Sequence, residues 1–361
     1  MRWAVTAVRT AVHRFPTPVP EADGTLAWDA TTAVTVEIDA GGRTGLGWTY
    51  SCAAAAGVIE GELAGVVSGR DALDVPGAWA AMHRAGRNVG TRGLYAQALS
   101  AVDIALWDLK ARLLDVPLAD LFGRLRDRVP VYGSGGFTTY DDTQLAEQVA
   151  GWQAAGCTAM KIKIGESWGT NEARDLARVR RLRELAGADV ALMVDANGGY
   201  SPGQARRVGR ALDALGVIWF EEPVSSDDVA ALGQLRNVLG CDVAAGEYVA
   251  DVREAARLAP VVDCLQLDVT RCGGYTGWLR CAAVAHAAGL QVSGHCAPSL
   301  HAPVAASLAQ LRHVEWFADH ARLEPLLVDG APAVRDGALE VGRTPGHGMT
   351  LRADADRWRV P

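Results

Sequence analysis

Residues 158–164 read TAMKIKI, 190–195 VALMVD, 217–222 VIWFEE and 242–247 DVAAGE. Each is a short apolar run that carries or ends in charge. Between them lie longer stretches with helical spacing, such as NEARDLARVRRLREL at 171–185 and PGQARRVGRALDAL at 202–215. Strand–helix alternation of this kind builds a parallel sheet. Outward from these runs the rhythm starts at VPVYGS (129–134) and continues through DCLQLD (263–268), LQVSGH (290–295) and HVEWF (313–317). Eight strands with seven intervening helices therefore fill 129–325, an α/β pattern that closes into a barrel. An open, doubly wound sheet would want G-x-G-x-x-G after its first strand. Gly133-Ser134-Gly135-Gly136 supplies glycines there but not that pattern, and reads as a tight turn.

The flanks read differently. Residues 1–128 begin with strand-like stretches, WAVTAVRTAV and AVTVEI, separated by a proline-rich loop from Phe15 to Trp28. They end in the helical LSAVDIALWDLKARLLDVPLADLF. That order suggests an α+β domain. Residues 326–361 fit no further barrel unit and are expected to return to that first domain. The 361 residues are 49% hydrophobic and 21% charged, which excludes intrinsic disorder and promises a large core. A net charge of −7 without a basic block argues against nucleic acid or an anionic membrane as partner. Seven cysteines without a CxxC suit a reducing cytosol rather than a disulfide framework or a zinc ribbon. Arg2, Arg9 and His13 interrupt the apolar start that a signal peptide needs. The longest stretch free of Asp, Glu, Lys and Arg, 281–311, is broken by histidines and prolines, so no membrane span is expected. A cytoplasmic, soluble protein is the resulting expectation.

The residues that end the strands carry the chemistry. Asp195, Glu221 and Glu247 are each 26 residues apart, one βα unit, so they should stand side by side at the C-terminal mouth of the barrel. Acidic residues also end strands as helix caps, but three in register would repel one another unless a cation sat among them. All-oxygen ligation selects a hard ion, Mg²⁺ first and Mn²⁺ second. In MKIKI, period two puts Lys161 and Lys163 on one face and the isoleucines on the other. Two ammonium groups inside a barrel would lower each other's pKa, which is how a lysine becomes a general base. Asp268, His295 and Glu315 lie on the next three strands, and an Asp beside a His fixes its tautomer for acid/base work. His301 is the one further histidine near enough to the His295 loop to suggest a substrate contact. Cys296 has no base at a spacing that would suggest a nucleophile.

This ordered set resembles the mandelate racemase group of the enolase superfamily. The matching motifs are Lys161-Ile-Lys163, Asp195-Ala-Asn197, Glu221-Glu-Pro223, Gly246-Glu247, Asp268 with Gly273-Gly274-Tyr-Thr-Gly-Trp, His295, Glu315, and AVDIALWDLKARLLDVPLADLFG at 101–123. The resemblance spans nearly the whole chain. It implies a (β/α)7β modified TIM barrel (129–325) under an N-terminal α+β capping domain (1–128, completed by 326–361). It also implies Mg²⁺ on Asp195, Glu221 and Glu247, and removal of the proton α to a substrate carboxylate. Lys163 would be the base on one face and His295, oriented by Asp268, the acid/base on the other. Lys161 would neutralise the carboxylate and depress the pKa of Lys163. Glu315 would act as an electrophilic acid, Asn197 would contact the substrate, and cap loops at Phe15–Trp28 and Trp48–Tyr50 would close over it, with Tyr50 a substrate contact. A homo-oligomer, dimer or octamer, is implied as well.

Two acid/bases on opposite faces permit two reactions. Dehydration of a sugar acid to a 2-keto-3-deoxy acid is favoured by the resemblance, and racemisation or epimerisation of a 2-hydroxyacid is the alternative. A barrel that binds metal and carboxylates without turnover would show its nature by loss of Lys163 or His295, and both are present.

Overall fold

A computed structural model describes residues 3–360. The N-terminal part is an antiparallel meander of β1 (Ala7–Ala22), β2 (Ala27–Ala40) and β3 (Arg43–Tyr50). The long helix α1 (Leu94–Leu113) lies across it and buries most of its length. Sheet and helix meet closely at Gly47, where a Cβ would come within 2.3 Å of the Ala101 carbonyl. Any side chain there would force the two layers apart.

Phe15–Trp28 is a β-hairpin arm rather than the loop its prolines suggest. β1 continues to Ala22 and β2 resumes at Ala27, with the pairing register slipping between Pro16 and Glu21. Pro16, Pro18 and Pro20 lack an N–H to donate, and the slip falls where those donors are missing. Trp48–Tyr50 is likewise strand rather than loop, the buried end of β3.

The barrel follows: β4 (Arg128–Gly135), β5 (Ala159–Lys163), β6 (Ala191–Asp195), β7 (Val217–Glu221), β8 (Asp242–Ala245), β9 (Cys264–Leu267), β10 (Gln291–Gly294) and β11 (Leu311–Phe317). Each pairs in parallel with the next, and β11 pairs with β4 to close the ring. The closed eight-stranded barrel with its outer helices and N-terminal cap is the fold the sequence led us to expect. Gly133–Gly135 belongs to β4 and not to a turn, since Gly133 is where the Trp152 side chain packs against the strand.

Alternation sorts the side chains. Met160 and Ile162 face outward into the main core shared with the helices, while Lys161 and Lys163 face inward. Below the lysines the interior is filled by Tyr132, Met193, Trp219, Ala244 and Cys264. The fill is a packed plug, so the chemistry is confined to the upper end.

The C-terminal segment divides its contacts. Ala338–Glu340 pairs antiparallel with the start of β4, Val328–Asp329 pairs with Thr350–Leu351, and only Arg359–Val360 joins the cap sheet, on β1. Cap and barrel are tied by α1. Asp103 accepts from the Thr276 N–H (2.9 Å) and hydroxyl (2.7 Å), and the Ser100 hydroxyl accepts from Gly273 N–H at 2.9 Å. Both contacts fall at the start of α2 (Gly274–Ala287), whose free amide donors favour such partners.

Candidate active site

Strand register sets the site. Lys163 pairs with Asp195 across β5 and β6, and Asp195 with Glu221 across β6 and β7. Glu247 follows β8 by two residues, Asp268 and His295 directly follow β9 and β10, and Glu315 lies within β11. All of them are buried, as are Lys161 and Lys163. The structure thus brings these eight predicted residues into one cluster at the strand ends.

Lys161 Nζ sits 2.7 Å from Glu221, 2.9 Å from Glu315 and 3.8 Å from Asp195. Lys163 Nζ sits 2.5 Å from Asp195 Oδ2. On the far side, Asp268 Oδ2 lies 2.8 Å from His295 Nδ1, and His295 Nε2 lies 3.4 Å from Glu247 Oε2. Arg271 reaches Glu247 at 3.0 Å and Asp268 at 3.5 Å. The two candidate acid/bases therefore flank one carboxylate group from opposite sides.

The charge balance corrects one sequence expectation. Burial works to lower the pKa of Lys163, and so does Lys161, but Asp195, with Glu315 and Glu247, outweighs both and raises it. Two lysines considered alone depress each other, whereas among these carboxylates both remain ammonium. The same charges act on Glu315. Burial would favour its protonation, but Lys161, His295 and Lys163 hold its carboxyl well below the usual range. Its oxygens already accept from the Ser134 hydroxyl at 2.6 Å and Cys296 N–H at 2.9 Å. In this arrangement it is an anionic acceptor for Ser134 and Cys296. Asp268 resists burial through His295 and Arg271 and is also held low.

Asp195, Glu221 and Glu247 each offer an oxygen within 4.8 Å of the others. Glu247 Oε2, Glu222 Oε1 and Asn197 Oδ1 are buried without a hydrogen-bond partner. Unpaired buried acceptors are costly, and an all-oxygen set of this size fits Mg²⁺. Asn197 holds φ at +46°, a region that Asn tolerates, and its N–H donates to Asp195 Oδ1 at 2.8 Å.

Tyr50 and His301 are placed elsewhere than expected. The Tyr50 ring stacks on His320 with centroids 3.6 Å apart, and its hydroxyl donates to Glu324 at 3.1 Å. His301 is fully buried, its Nε2 accepting from Val269 N–H at 3.1 Å, and it braces the Asp268 loop. Ser134, Arg271 and Glu222 were not singled out from sequence. Ser134 and Glu222 lie inside quoted motifs without being given a role, and Arg271 follows Asp268 by three.

The hairpin arm closes the mouth. Thr138 Oγ1 donates to the Asp23 carbonyl at 2.9 Å and Trp168 N–H to the Gly24 carbonyl at 2.9 Å. A Cβ on Gly24 would stand 2.6 Å from the Ala196 carbonyl and 2.7 Å from that of Ile164, so the tip touches the loops after β5 and β6. Behind it Trp28 packs edge-on against Phe137, and Phe137 against Phe317, whose ring lies 5.7 Å from Lys163 Nζ.

Comparison with known proteins agrees with this geometry. Residues 4–123 match the mandelate racemase / muconate lactonizing enzyme N-terminal domain, and residues 144–355 match the enolase C-terminal domain-like family. L-talarate/galactarate dehydratase from Salmonella typhimurium is 33% identical, over 88% of this chain and 79% of its own. A crystal structure of that enzyme liganded with Mg and L-lyxarohydroxamate superposes with a TM-score of 0.92, at 29% identity, covering 100% of this chain and 94% of the other. 3,6-Anhydro-alpha-L-galactonate cycloisomerase from Streptomyces coelicolor is 35% identical, over 96% of this chain and 97% of its own. The crystal structure of a mandelate racemase/muconate lactonizing enzyme-like protein from Rubrobacter xylanophilus has a TM-score of 0.95 at 45% identity, covering 99% of this chain and 100% of the other.

Proposed function

The chain belongs to the mandelate racemase/muconate lactonizing enzyme family of the enolase superfamily and is an enzyme of the lyase or isomerase kind; on that premise we propose that it dehydrates a sugar acid to a 2-keto-3-deoxy acid. Two-base chemistry rests on the placement of Lys163 and His295, and similarity to L-talarate/galactarate dehydratase favours elimination. The two residues stand on opposite sides of the Asp195–Glu221–Glu247 group, at the ends of strands β5 and β10 of the ring. A substrate carboxylate drawn to that group would present its α carbon between an amine and an imidazole.

In the elimination, Lys163 Nζ takes the α proton, and the C–H electron pair moves into the substrate carboxylate. The pair then returns to form a C=C bond as the β C–O bond breaks. His295 Nε2 supplies the proton that lets the departing hydroxyl leave as water, and the resulting enol tautomerises to the ketone. Asp268, bonded to Nδ1, keeps the working nitrogen aimed at the substrate. Asp195, Glu221 and Glu247 would hold Mg²⁺, with Lys161 on β5 joining Glu221 to Glu315 on β11. When bound, Mg²⁺ would neutralise the carboxylates that keep Lys163 protonated and stabilise charge developing on the substrate carboxylate. The hairpin arm excludes water while it is closed.

The same two residues would serve a racemase, with the proton removed by one and returned by the other. The reading is tested by NMR in D₂O with Mg²⁺ across a panel of sugar acids and 2-hydroxyacids. A 2-keto-3-deoxy product supports dehydration. Deuterium at the α carbon with epimer and no elimination replaces it by racemisation. Absence of either reaction across the panel refutes the proposal for the acids tested.

A further inference from the structure

A second group of potential ligands shares the mouth of the barrel and differs from the first in chemistry. Cys296 Sγ lies 3.3 Å from His295 Nε2, and that nitrogen lies 3.8 Å from Glu315 Oε2. One ligand atom from each of the three residues falls within 4.8 Å of the others, and all three residues are buried. We propose that His295, Cys296 and Glu315 form a binding site for a thiophilic divalent cation of the Zn²⁺ type, distinct from the all-oxygen group and inhibitory because it occupies His295.

The donor set argues for this class of ion. Thiolate and imidazole select Zn²⁺ over Mg²⁺, and three protein ligands with an open fourth position make a normal zinc coordination shell. Bond lengths of about 2.3 Å to sulfur and 2.0–2.1 Å to nitrogen imply an S···N separation of about 3.5 Å at tetrahedral angles, close to the 3.3 Å present. The supporting contacts are also in place. His295 gives its other nitrogen to Asp268 at 2.8 Å, the carboxylate–histidine arrangement that orients zinc-binding imidazoles. Glu315 Oε1 is held by Ser134 at 2.6 Å and Lys161 at 2.9 Å, which fixes the carboxylate with Oε2 toward Cys296. Cys296 itself is held by a backbone at φ +50°, where a non-glycine residue is uncommon. Binding would displace the thiol proton to solvent, so apparent affinity rises with pH. It would also take the Nε2 lone pair and with it the acid/base function. The site stands whether the reaction is elimination or racemisation, because it depends on the cluster and not on the substrate.

The test uses the full chain saturated with Mg²⁺, so that the all-oxygen group is filled, and titrates it with Co²⁺ as a spectroscopic substitute and with Zn²⁺. We expect one equivalent of Co²⁺ to give a thiolate-to-cobalt charge-transfer band in the near ultraviolet, displaced by Zn²⁺. Zn²⁺ should stop turnover reversibly, with a chelator restoring it. Cys296→Ala and Cys296→Ser should both lose the band and bind Zn²⁺ at least about a hundredfold more weakly. Two variants are used so that a folding defect in one, checked by circular dichroism, leaves the other to decide. Asp268→Asn should keep the band but weaken binding about 10–100-fold, as loss of an orienting partner does. Absence of the band in the wild-type protein, or Zn²⁺ affinity unchanged in the folded Cys296 variants, overturns the proposal.

Discussion

Replacing Asp268 by Asn is the sharpest test of the two-base arrangement. Asp268 Oδ1 accepts from the Thr270 N–H and hydroxyl, both at 2.7 Å, while Oδ2 faces His295 Nδ1 at 2.8 Å. An Asn at 268 would keep its oxygen on the two Thr270 donors and turn its NH₂ toward His295. Nδ1 must then accept, so the ring is held neutral and the imidazolium that gives its Nε2 proton to the leaving hydroxyl is disfavoured. The fold should tolerate the change, since shape and the Thr270 contacts persist. In hydrolase triads the same exchange costs about 10⁴ in kcat through the wrong tautomer, equivalent to about 5 kcal/mol. General acid/base steps overall span about 10²–10⁴. Product formation is therefore expected to fall by about 10²–10⁴. Abstraction and return of the α proton by Lys163 on its own face should change less than about tenfold. The assay follows deuterium entry at the α carbon and product formation in the same D₂O sample with Mg²⁺. Equal losses in exchange and product would show that Asp268 supports the whole site rather than His295, and no loss in either would remove His295 from the chemistry.

Lys163→Ala should abolish α-proton exchange, by about 10²–10⁴, with helical content unchanged by circular dichroism; retained exchange would exclude Lys163 as the base. Glu221→Gln should weaken Mg²⁺ binding about tenfold or more in calorimetry by removing one ligand charge, and unchanged affinity would take Glu221 out of the metal group. Gly24→Ala puts a methyl against the carbonyls of Ala196 and Ile164, so the arm must lift; KM should rise severalfold with a loss of about 1–3 kcal/mol in stability, and unaltered kinetics would mean that the arm does not seal the substrate. Burial raises Glu324 from 4.5 to about 7. Its folded form therefore holds a proton that the unfolded form releases, so its contribution is full below about pH 4.5 and is lost as pH rises through 7, by about 3 kcal/mol. Glu324→Gln should remove that slope from the pH dependence of Tm relative to wild type, and an identical slope in both proteins would show that Glu324 is ionised throughout.

The barrel was legible because its evidence is local and periodic. Short apolar strands, several of them closed by charge and three of those charges 26 residues apart, leave little freedom in how they assemble. The register that pairs Lys163 with Asp195 and Asp195 with Glu221 is the structural expression of that spacing. The hairpin arm was misread for a comparable local reason. Three prolines argue for a loop wherever pairing is judged from propensity, but the strand pairs on either side of them and the slip from Pro16 to Glu21 absorbs the missing donors. The C-terminal segment was read as one piece because nothing in residues 326–361 marks where a chain passes from one end of the molecule to the other. Pairing of Ala338–Glu340 with β4, and of Arg359–Val360 with β1, is set by the surfaces they meet.

In the site, residue identity was legible and charge balance was not. Period two reveals that Lys161 and Lys163 share a face, but their pKa values depend on how many carboxylates the other strands deliver. Counted at formal charge, Asp195, Glu221, Glu247, Asp268 and Glu315 oppose Lys161, Lys163 and Arg271. Burial and Asp195 push Glu221 upward, opposed by Lys161, whose Nζ lies 2.7 Å from both its oxygens. Glu222 is pushed up by burial and by Glu247. Carboxylates outnumber the lysine and arginine cations in a volume from which water is nearly excluded, a burden that proteins relieve by pairing or by metal coordination. The deficit is of positive charge, which a metal cation would supply. Glu247, whose Oε2 is buried without a hydrogen-bond donor, lies next to His295 on one side and completes the Asp195–Glu221 group on the other. The same deficit that would draw in a hard cation would also hold Lys163 protonated until that cation arrives. Filling the metal site and freeing the base would then be a single electrostatic event, a coupling that no one of these residues encodes alone.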